Sequence, residues 1–324
     1  MFERIFKLSE HKTTVKTEVM AGITTFMTMA YILAVNPSVL GSTGMDTTAV
    51  LLATALASCL GTLCMAFMAN LPFALSAGMG LNAFMAYTVV AGYGYSWQVA
   101  LLAVFIEGLI FIVLSLTNVR EAIFNAIPLT LKKGVSVGIG LFIAFIGLQN
   151  SGLCVDSATL VGIISFPENF HTAGICALLT LIGLFFTAVF YTRKMKGAIL
   201  YGILLTWILG MLCQVTGLYV PTPDAGFYSL FPSWGMTDFS KLGLTFGQCF
   251  NVDFSAVGIV NFIVVIFSFL FVDIFDTLGT LIGVATKAKM LDKDGKLPGI
   301  KPALLADSIA TSAGAILGTS TTTT

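Results

Sequence analysis

The stretch FLFVDIFDTLGTLIG, residues 269–283, decides the fold because it places two aspartates inside an otherwise apolar run. Together with the apolar residues before it, this run is long enough to cross a bilayer as a helix. A charged residue at the centre of such a helix costs about 2.5–3.5 kcal/mol on the insertion scale. If the run spans a membrane, the surroundings of Asp273 and Asp276 must offset that cost.

The spacing of the two acids suggests how the cost is offset. Asp273 and Asp276 are three residues apart, so a helix carries both on one face, which Thr277 and Thr280 extend. The opposite side of the helix is apolar and carries Phe271, Ile274, Phe275 and Leu278. We therefore expect the polar face to contact protein or water, and we expect at least one of the acids to bind a proton there.

The composition of the whole chain also indicates a membrane protein. Of the 324 residues, 57% are hydrophobic and only 10% are charged, whereas soluble globular domains carry about 25% charged residues. Because the apolar excess covers the full length, we expect an all-α polytopic protein and not a soluble domain with one anchor. The charged, amphipathic N-terminal residues show no pattern of a cleavable signal peptide.

Apolar runs of about 17–25 residues predict helices that cross the hydrocarbon core. Such runs lie near residues 19–40, 49–69, 74–92, 97–116, 134–150, 173–191, 197–217, 257–285 and 302–318. The segment 117–133 alternates apolar and polar positions and is expected to lie along the membrane interface. The segment 219–255 is rich in aromatic residues and proline, which predicts an external loop with short interfacial helices.

The basic residues favour one orientation of these spans. With the N-terminus inside, only Lys241 of the sixteen lysines and arginines falls outside. The others lie in segments placed inside: Arg4, Lys7, Lys12, Lys16, Arg120, Lys132, Lys133, Arg193, Lys194, Lys196, Lys287, Lys289, Lys293, Lys296 and Lys301. By the positive-inside rule, we expect a multi-pass protein of the cell membrane with a cytoplasmic N-terminus.

Two segments of the chain resemble each other and predict an internal repeat. LLATALASCLGTL (51–63) matches LLADSIATSAGAI (304–316) at two leucines, two alanines and a glycine in register. The match makes the second and ninth spans equivalent, as in two seven-span repeats, and an odd repeat length inverts the copies. On this interpretation residues 1–256 form the first repeat. Residues 257–324 then begin the second, and the chain ends early within the tenth span.

The third span is predicted to be broken. In LPFALSAGMGLNAFMAY (71–87), Pro72, Gly78 and Gly80 interrupt the apolar run before Asn82. Backbone groups freed by a break are tolerated in a membrane where they line a cavity. Alternatively, the glycines only allow close helix packing. At the matching place in the second repeat, the β-branched threonines of STTTT (320–324) favour a short extended segment.

Two further acids lie within predicted spans. Asp307 is surrounded in sequence by hydroxyl side chains, and Glu107 lies in the fourth span. Neither has an evident basic partner, so internal hydrogen bonding and proton coupling both stay open for them. The candidates for the proton-coupling group are therefore Asp273, Asp276, Asp307 and Glu107.

Cysteines, histidines and short motifs do not indicate an enzyme. The six cysteines show no metal-ligand or disulfide spacing, and the two histidines lie far apart. No P-loop, dinucleotide fingerprint or nucleophile elbow occurs in the sequence. We expect no catalytic activity, no metal, no cofactor apart from a coupling ion, and no nucleic-acid partner.

Several motifs resemble those of the AzgA-like purine permeases of the nucleobase–cation symporter superfamily. The resemblance covers the whole chain and is carried by AGITTFMTMAYILAVNPSVL (21–40), SAGMGLNAF (76–84), FVDIFDTLGTLIG (271–283), ALLADS (303–308) and GTSTTTT (318–324). It implies fourteen spans in two inverted repeats, divided into a core domain (spans 1–4 of the first repeat) and a gate domain (spans 5–7). It also implies short strands in spans 3 and 10, and a glutamate beyond residue 324 that helps to hold the base.

The resemblance further implies import of hypoxanthine, guanine or adenine with protons, and a homodimer through the gate domain. By motif, Gly80, Asn82, Asp273 and Asp276 are expected at the substrate site. Asp276 would accept hydrogen bonds from the base, and Asp273 would support it or carry the proton. Asn82 would contact the base edge, Gly80 would provide room, and Phe84 would offer a stacking surface.

Other functions were weighed against this one. A xanthine, uracil or anion transporter of the same architecture is the main alternative, although an anion site should present a basic residue or a helix N-terminus. A membrane-embedded aspartyl protease takes its two acids from different helices, whereas Asp273 and Asp276 share one. A channel would show a repeated charged ring or a filter motif, which the sequence lacks.

Overall fold

The computed structural model describes residues 2–10, 13–117, 119–126, 128–158, 160–195, 197–223, 226–232, 235, 237–254, 257–292 and 297–324. Lys12, Lys196, Lys293 and Lys296, which enter the orientation argument, lie outside these residues, as does position 256 at the predicted repeat boundary.

In chain order the elements are α1 (Phe2–Phe6), α2 (Val15–Met29), α3 (Ile32–Gly41), α4 (Thr47–Cys64), β1 (Ser76–Ala77), α5 (Met79–Ala83), α6 (Trp97–Leu116), α7 (Val119–Ala126), α8 (Leu129–Asn150), β2 (Cys154–Ser157), β3 (Leu160–Ile163), α9 (Phe166–Asn169), α10 (Ile175–Thr192), α11 (Ala198–Val215), α12 (Ile259–Lys287), α13 (Ile300–Leu317) and β4 (Thr322–Thr323). π-helical turns extend α4 over Met65–Ala69 and α5 over Phe84–Gly92, and a third precedes α10 at Phe170–Gly174. Short 3-10 turns lie at Phe239–Leu244 and Gln248–Phe250.

The prediction of a helical protein with many membrane spans is confirmed. Within the described ranges, seven helical segments are long and apolar enough to cross a membrane: Val15–Gly41, Thr47–Ala69, Trp97–Leu116, Phe166–Thr192, Ala198–Val215, Ile259–Lys287 and Ile300–Leu317. Two shorter apolar helices cover Met79–Gly92 and Gly140–Asn150. Each predicted span overlaps one of these segments.

The third span is broken, as the sequence predicted. The chain leaves the helix at Asn70, whose left-handed backbone (φ 51°) ends the turn before Pro72. It then runs without helix to β1, and α5 begins only at Met79. β1 pairs antiparallel with β4, with Ser76 opposite Thr323 and Ala77 opposite Thr322. The glycines therefore do more than permit close helix packing, because the span contains a strand.

The first predicted span lies within one apolar segment, Val15–Gly41, although its helix is interrupted at Ala30 and Tyr31. α2 ends at Met29 and α3 begins at Ile32. The amides of Leu33 and Ala34 bond carbonyls three residues back, at 3.1 and 3.0 Å, instead of four. This tighter 3-10 pattern turns the backbone between α2 and α3, and the apolar periodicity of 19–40 does not reveal it.

A hairpin that the sequence analysis did not predict follows α8. β2 pairs antiparallel with β3, from Cys154 opposite Ile163 to Ser157 opposite Leu160. The turn requires a left-handed backbone at Leu160 (φ 80°), and leucine is an uncommon residue in that conformation. The segment lacks the usual turn sequence, so this hairpin was missed.

Two compact units make up the chain, and each is described by itself. Residues 1–140 and 237–324 form the first unit, and residues 141–236 form the second. The first unit contains two clusters of buried apolar side chains, one around Leu101 and Phe269 and one around Leu75 and Leu304. The division into repeats at residue 256 stays a prediction.

Within the first unit, the segment 237–250 is attached to the ends of two helices. Asp46 caps α4 by accepting from the amides of Thr48 and Ala49, both at 2.9 Å, and its Oδ2 lies 3.1 Å from Lys241 Nζ. The Ala49 amide and the Lys241 ammonium hold the pKa of Asp46 below its usual range. A carboxylate with a lowered folded pKa stabilises the fold near neutral pH and loses this effect as the pH falls through that pKa.

The same segment covers the C-terminus of α13. The amide of Gly247 donates to the Ile316 carbonyl at 2.7 Å, and Thr245 Oγ1 donates to the Leu317 carbonyl at 3.0 Å. The last carbonyls of a helix lack partners within the helix, so these bonds satisfy two of them. The chain then turns at Gly318 (φ 100°) and enters the buried segment that carries β4.

In the second unit, α10 and α11 pack through a reciprocal pair of glycines and threonines. Thr206 lies against Gly183, and Thr187 lies against Gly202. Each threonine also donates to the carbonyl of the glycine four residues earlier on its own helix, at 2.7 Å for Thr187 and 2.8 Å for Thr206. Small residues allow the two backbones to approach closely at both points.

We expect Gly202→Ala to loosen this helix pair. A Cβ at residue 202 would lie 2.9 Å from the Thr187 Cβ, and such overpacking typically costs about 1–3 kcal/mol. Thermal unfolding of the purified protein in detergent should show a lower transition temperature. Gly22→Ala, where nothing lies within 4 Å, is the control.

Adding Thr187→Ala to Gly202→Ala removes the obstructing side chain and should restore part of the loss. Equal transition temperatures for Gly202→Ala and the wild type would contradict this account of the packing.

Candidate functional site

Polar side chains gather in the first unit where the buried segment 319–323 passes α3, α5, α6, α12 and α13. Residues Thr319, Ser320, Thr321 and Thr322 are fully buried, and Thr323 is 3% exposed. The hydroxyl groups of Thr319, Ser320, Thr321 and Thr323 contact acids and amides from several helices. Four of the five hydroxyl residues in this run therefore have a partner in the protein interior.

Asp276 lies at the point where β1 and β4 meet. Thr323 Oγ1 donates to Asp276 Oδ2 at 3.0 Å. Gly78 follows β1, and a Cβ there would lie 3.0 Å from Thr323 Oγ1 and 3.2 Å from Asp276 Oδ2. Glycine thus lets the backbone approach Thr323 and the carboxylate closely, because a Cβ would crowd both groups. Of the four acids that the sequence singled out, Asp276 alone retains exposed surface.

Asp273 and Asp307 form a separate, fully buried pair bridged by Thr277. Thr277 Oγ1 lies 3.1 Å from Asp273 Oδ1 and 3.3 Å from Asp307 Oδ2. A hydroxyl carries one proton and can donate to only one of these oxygens. A proton on one carboxyl group would let that group donate to Thr277, so the arrangement suits a pair of acids that together hold a proton.

Glu107 lies behind the strand pair and is fully buried on α6. Its Oε2 accepts from Thr321 Oγ1 at 3.2 Å, while the Thr321 carbonyl accepts from the Gly78 amide at 3.0 Å. The sequence left internal hydrogen bonding and proton coupling open for Glu107 and Asp307. The structure places a threonine hydroxyl beside each of them, at 3.2 Å from Glu107 and 3.3 Å from Asp307, and either acid can still hold a proton.

Asn82, which is expected to contact the base edge, has side-chain partners on two other segments of the chain. It is fully buried, its Nδ2 donates to Asn36 Oδ1 at 2.6 Å, and Ser320 Oγ donates to its Oδ1. Gly80 is partly exposed one turn after β1. Phe84 is partly buried and meets Phe269 of α12 edge to face, with ring centroids 4.9 Å apart.

The sequence analysis missed some of the residues that build this site. Asn36, Thr54, Thr319 and Ser320 were assigned no role, and Thr323 was expected only to be extended. An asparagine before proline inside the apolar run 19–40 was the available signal for Asn36. The threonines offered none, because hydroxyl groups in helices commonly bond their own backbone.

These observations define a multi-pass helical membrane protein in which a strand within an interrupted span pairs with a short strand after α13, beside a carboxylate in the interior. Residues 16–324 match the family model Xan_ur_permease, described as "Permease family", and the chain belongs to this permease family. The recognised resemblance to the purine permeases of this superfamily and the expectation that the chain is not an enzyme are both confirmed.

Three relatives illustrate the family. The adenine permease AdeP of Escherichia coli K12 is 41% identical over 100% of this chain and 68% of its own length. The guanine/hypoxanthine permease PbuO of Bacillus subtilis 168 is 43% identical over 98% of this chain and 70% of its own. PbuG, a guanine/hypoxanthine permease of the same organism, is 45% identical with the same coverage of both chains.

Proposed function

We propose that this chain is a secondary active transporter that imports purine bases, hypoxanthine, guanine or adenine, in symport with protons. The observation that carries the proposal is Asp276, a partly exposed carboxylate beside the pairing of β1, which interrupts the third span, with β4. Purine bases carry ring N–H donors, and a carboxylate oxygen can accept a hydrogen bond from one of them. The adenine and guanine/hypoxanthine specificities of the three relatives favour purines over other bases.

The proposal includes two inverted repeats, which the contacts of α4 and α13 support. The match of 51–63 to 304–316 aligns Ser58 with Thr311, and both hydroxyls bond the strand that follows their own helix. Ser58 Oγ lies 2.7 Å from Ser76 Oγ, and Thr311 Oγ1 donates to the Thr322 carbonyl at 3.0 Å.

Two aligned glycines act in the same way. A Cβ at Gly61 would lie 2.8 Å from the Ala310 Cβ of α13 and 3.1 Å from the Leu75 Cβ, and a Cβ at Gly314 would lie 2.8 Å from Thr322 Oγ1. Both glycines therefore allow close approach of the chain that returns after their helix, and Gly61 also allows close approach of α13. Equivalent positions with equivalent contacts are what two copies of one unit would show.

The coupling proton is assigned to the buried acids. Asp273 and Asp307 share Thr277 and have no exposed surface, so they can hold a proton away from solvent. Asp276 then accepts a hydrogen bond from the base. Glu107 accepts a hydrogen bond from Thr321, so a movement of Thr321 would change the surroundings of the Glu107 carboxyl group. A cytoplasmic N-terminus and a location in the cell membrane follow from the distribution of basic residues. A homodimer through the gate domain stays a prediction.

Uptake of radiolabelled hypoxanthine by cells that express the protein tests the proposal. We expect competition by unlabelled hypoxanthine, guanine and adenine, weak competition by xanthine and uracil, and none by sulfate. Lower external pH should raise the rate, and removal of sodium should leave it unchanged.

Uptake no greater than in cells with an empty vector would refute purine transport. Uptake that does not respond to an imposed pH gradient would remove only the proton part of the proposal.

A further inference from the structure

A chain of buried side-chain hydrogen bonds joins α4, α3, α5 and the turn after α13. We call Thr54, Asn36, Asn82 and Ser320 the amide relay; all four are fully buried. Asn36 Nδ2 donates to Thr54 Oγ1 at 2.7 Å, Asn82 Nδ2 donates to Asn36 Oδ1 at 2.6 Å, and Ser320 Oγ donates to Asn82 Oδ1. Thr319 Oγ1 accepts a second bond from Asn36, at 2.9 Å.

The direction of every bond in the amide relay follows from one contact of Thr54. Thr54 Oγ1 donates to the backbone carbonyl of Val50 at 2.6 Å, which uses its only proton. Thr54 must therefore accept from Asn36, so Asn36 turns its NH2 group toward Thr54 and its oxygen toward Asn82. Asn82 in turn must offer its NH2 group to Asn36 and its oxygen to Ser320.

The amide relay thus fixes the orientation of the Asn82 side-chain amide, with its NH2 group toward Asn36 and its oxygen toward Ser320. One of its two N–H groups is used by Asn36, and its oxygen is shared with Ser320. The backbone amide of Asn82 also donates to the carbonyl of Gly78, at 2.9 Å, and Gly78 lies close to the Asp276 carboxylate. A reversed Asn36 amide would turn its NH2 toward Asn82 and force that side chain to reverse as well.

We infer that Thr54 and Asn36 are positioning residues for the base site. They fix the orientation of the Asn82 amide and hold the turn at Thr319 and Ser320 against α3 and α4. Through that turn they set where Thr323 and β4 meet Asp276. This inference rests on the proposed purine transport, and it assigns discrimination between bases to side chains that the base does not touch.

The repeat alignment gives the inference independent support. It places Thr54 opposite Asp307, and Asp307 also contacts side chains of a neighbouring helix through a hydroxyl, at 3.3 Å from Thr277 Oγ1. The two halves therefore use the same place differently. At this position the first repeat carries Thr54, a neutral hydroxyl whose orientation is fixed by its bond to the Val50 carbonyl. The second repeat carries Asp307, a carboxyl group that can bind a proton.

Substitution of Thr54 separates orientation from packing. Thr54→Val keeps the shape of the side chain but removes the acceptor, so Asn36 can reverse. Thr54→Ser keeps the hydroxyl and its bond to Val50. We expect Thr54→Val to weaken competition by hypoxanthine about tenfold, the size of one lost hydrogen bond, while Thr54→Ser stays within about twofold of the wild type.

The selectivity readout is competition by deaza analogues of hypoxanthine, each of which lacks one ring nitrogen. Thr54→Val, Asn36→Ala and Asn82→Ala should all lose discrimination against the same analogue. The double variant Asn36→Ala/Asn82→Ala should be no worse than the single variants, because both act on one contact. Ser58→Ala removes a contact between α4 and β1 that lies outside the amide relay. This variant should keep the wild-type ranking of analogues.

Wild-type analogue ranking in Thr54→Val, or additive effects of the two alanine substitutions, would overturn the positioning role while leaving purine transport in place. Loss confined to the amount of protein in the membrane, with unchanged competition, would also overturn it. Absence of purine uptake by the wild type would instead refute the proposed function, and the positioning role with it.

Discussion

Asp276→Asn is expected to abolish saturable hypoxanthine uptake while the protein still reaches the membrane in normal amount. The substitution keeps the size of the side chain and one acceptor for Thr323. It removes the negative charge and replaces the second acceptor oxygen with a donor, which would face the N–H groups of the base. A hydrogen bond to a charged group contributes about 1.5–3 kcal/mol, so one lost contact predicts a decrease in apparent affinity of at least about tenfold, and the new donor opposes the base N–H as well.

Radiolabelled uptake over a range of hypoxanthine concentrations measures this effect, with membrane abundance determined by immunoblotting. Asp156→Asn is the matched control, because Asp156 is exposed on β2 and belongs to the second unit. Asp276→Glu should retain more uptake than Asp276→Asn if the charge matters more than the fit. Uptake by Asp276→Asn at the wild-type level would rule out the carboxylate as the site of base binding.

Asp307→Asn is expected to uncouple uptake of the base from the proton gradient while base binding persists. Asp307 is fully buried and shares Thr277 with Asp273, whereas Asp276 is bonded by Thr323. An amide side chain at residue 307 neither takes up nor releases a proton near neutral pH. We therefore expect exchange of labelled for unlabelled hypoxanthine across the membrane to persist, while acceleration of uptake by an inward proton gradient disappears.

Proteoliposomes with an imposed pH gradient measure the two activities separately. Ser308→Ala is a suitable control, because Ser308 is fully buried on the same helix and its hydroxyl donates to its own backbone at Leu304, at 2.7 Å. Thr277→Val should weaken the response to the gradient without abolishing it, since both acids stay in place. Full proton-driven uptake by Asp307→Asn would move the coupling group elsewhere, and Glu107 would be the next acid to test.

Local rules predicted the elements of this fold well, because membrane spans require long apolar runs. The break in the third span was also predictable, since Pro72, Gly78 and Gly80 disfavour a continuous helix. The extended character of the last threonines follows from β-branching and from their place in the repeat. The turn between α2 and α3 and the hairpin of β2 and β3 were not predicted, because neither has a strong local signal in the sequence.

The site was predicted in part. Asp273 and Asp276 were grouped because they share a helix face, yet the structure gives them different partners, Thr277 for the first and Thr323 for the second. Asn82 was expected to contact the base edge, which stays a prediction; the structure adds that its amide is bonded to Asn36 and Ser320. In both cases the side chain was singled out from the sequence, and its direction was decided by another part of the chain.

The sequence by itself determined that the chain crosses a membrane many times, that its acids must contact protein, and that one span is interrupted. These follow from the cost of placing charges and unpaired backbone groups in hydrocarbon, which applies wherever the chain folds. Only the tertiary structure decided which acid keeps an exposed edge and which partners hold the others. Asn36 and Thr319 are 283 residues apart in sequence and 2.9 Å apart in the fold. Contacts of that kind depend on how the helices assemble, and no local pattern of residues encodes them.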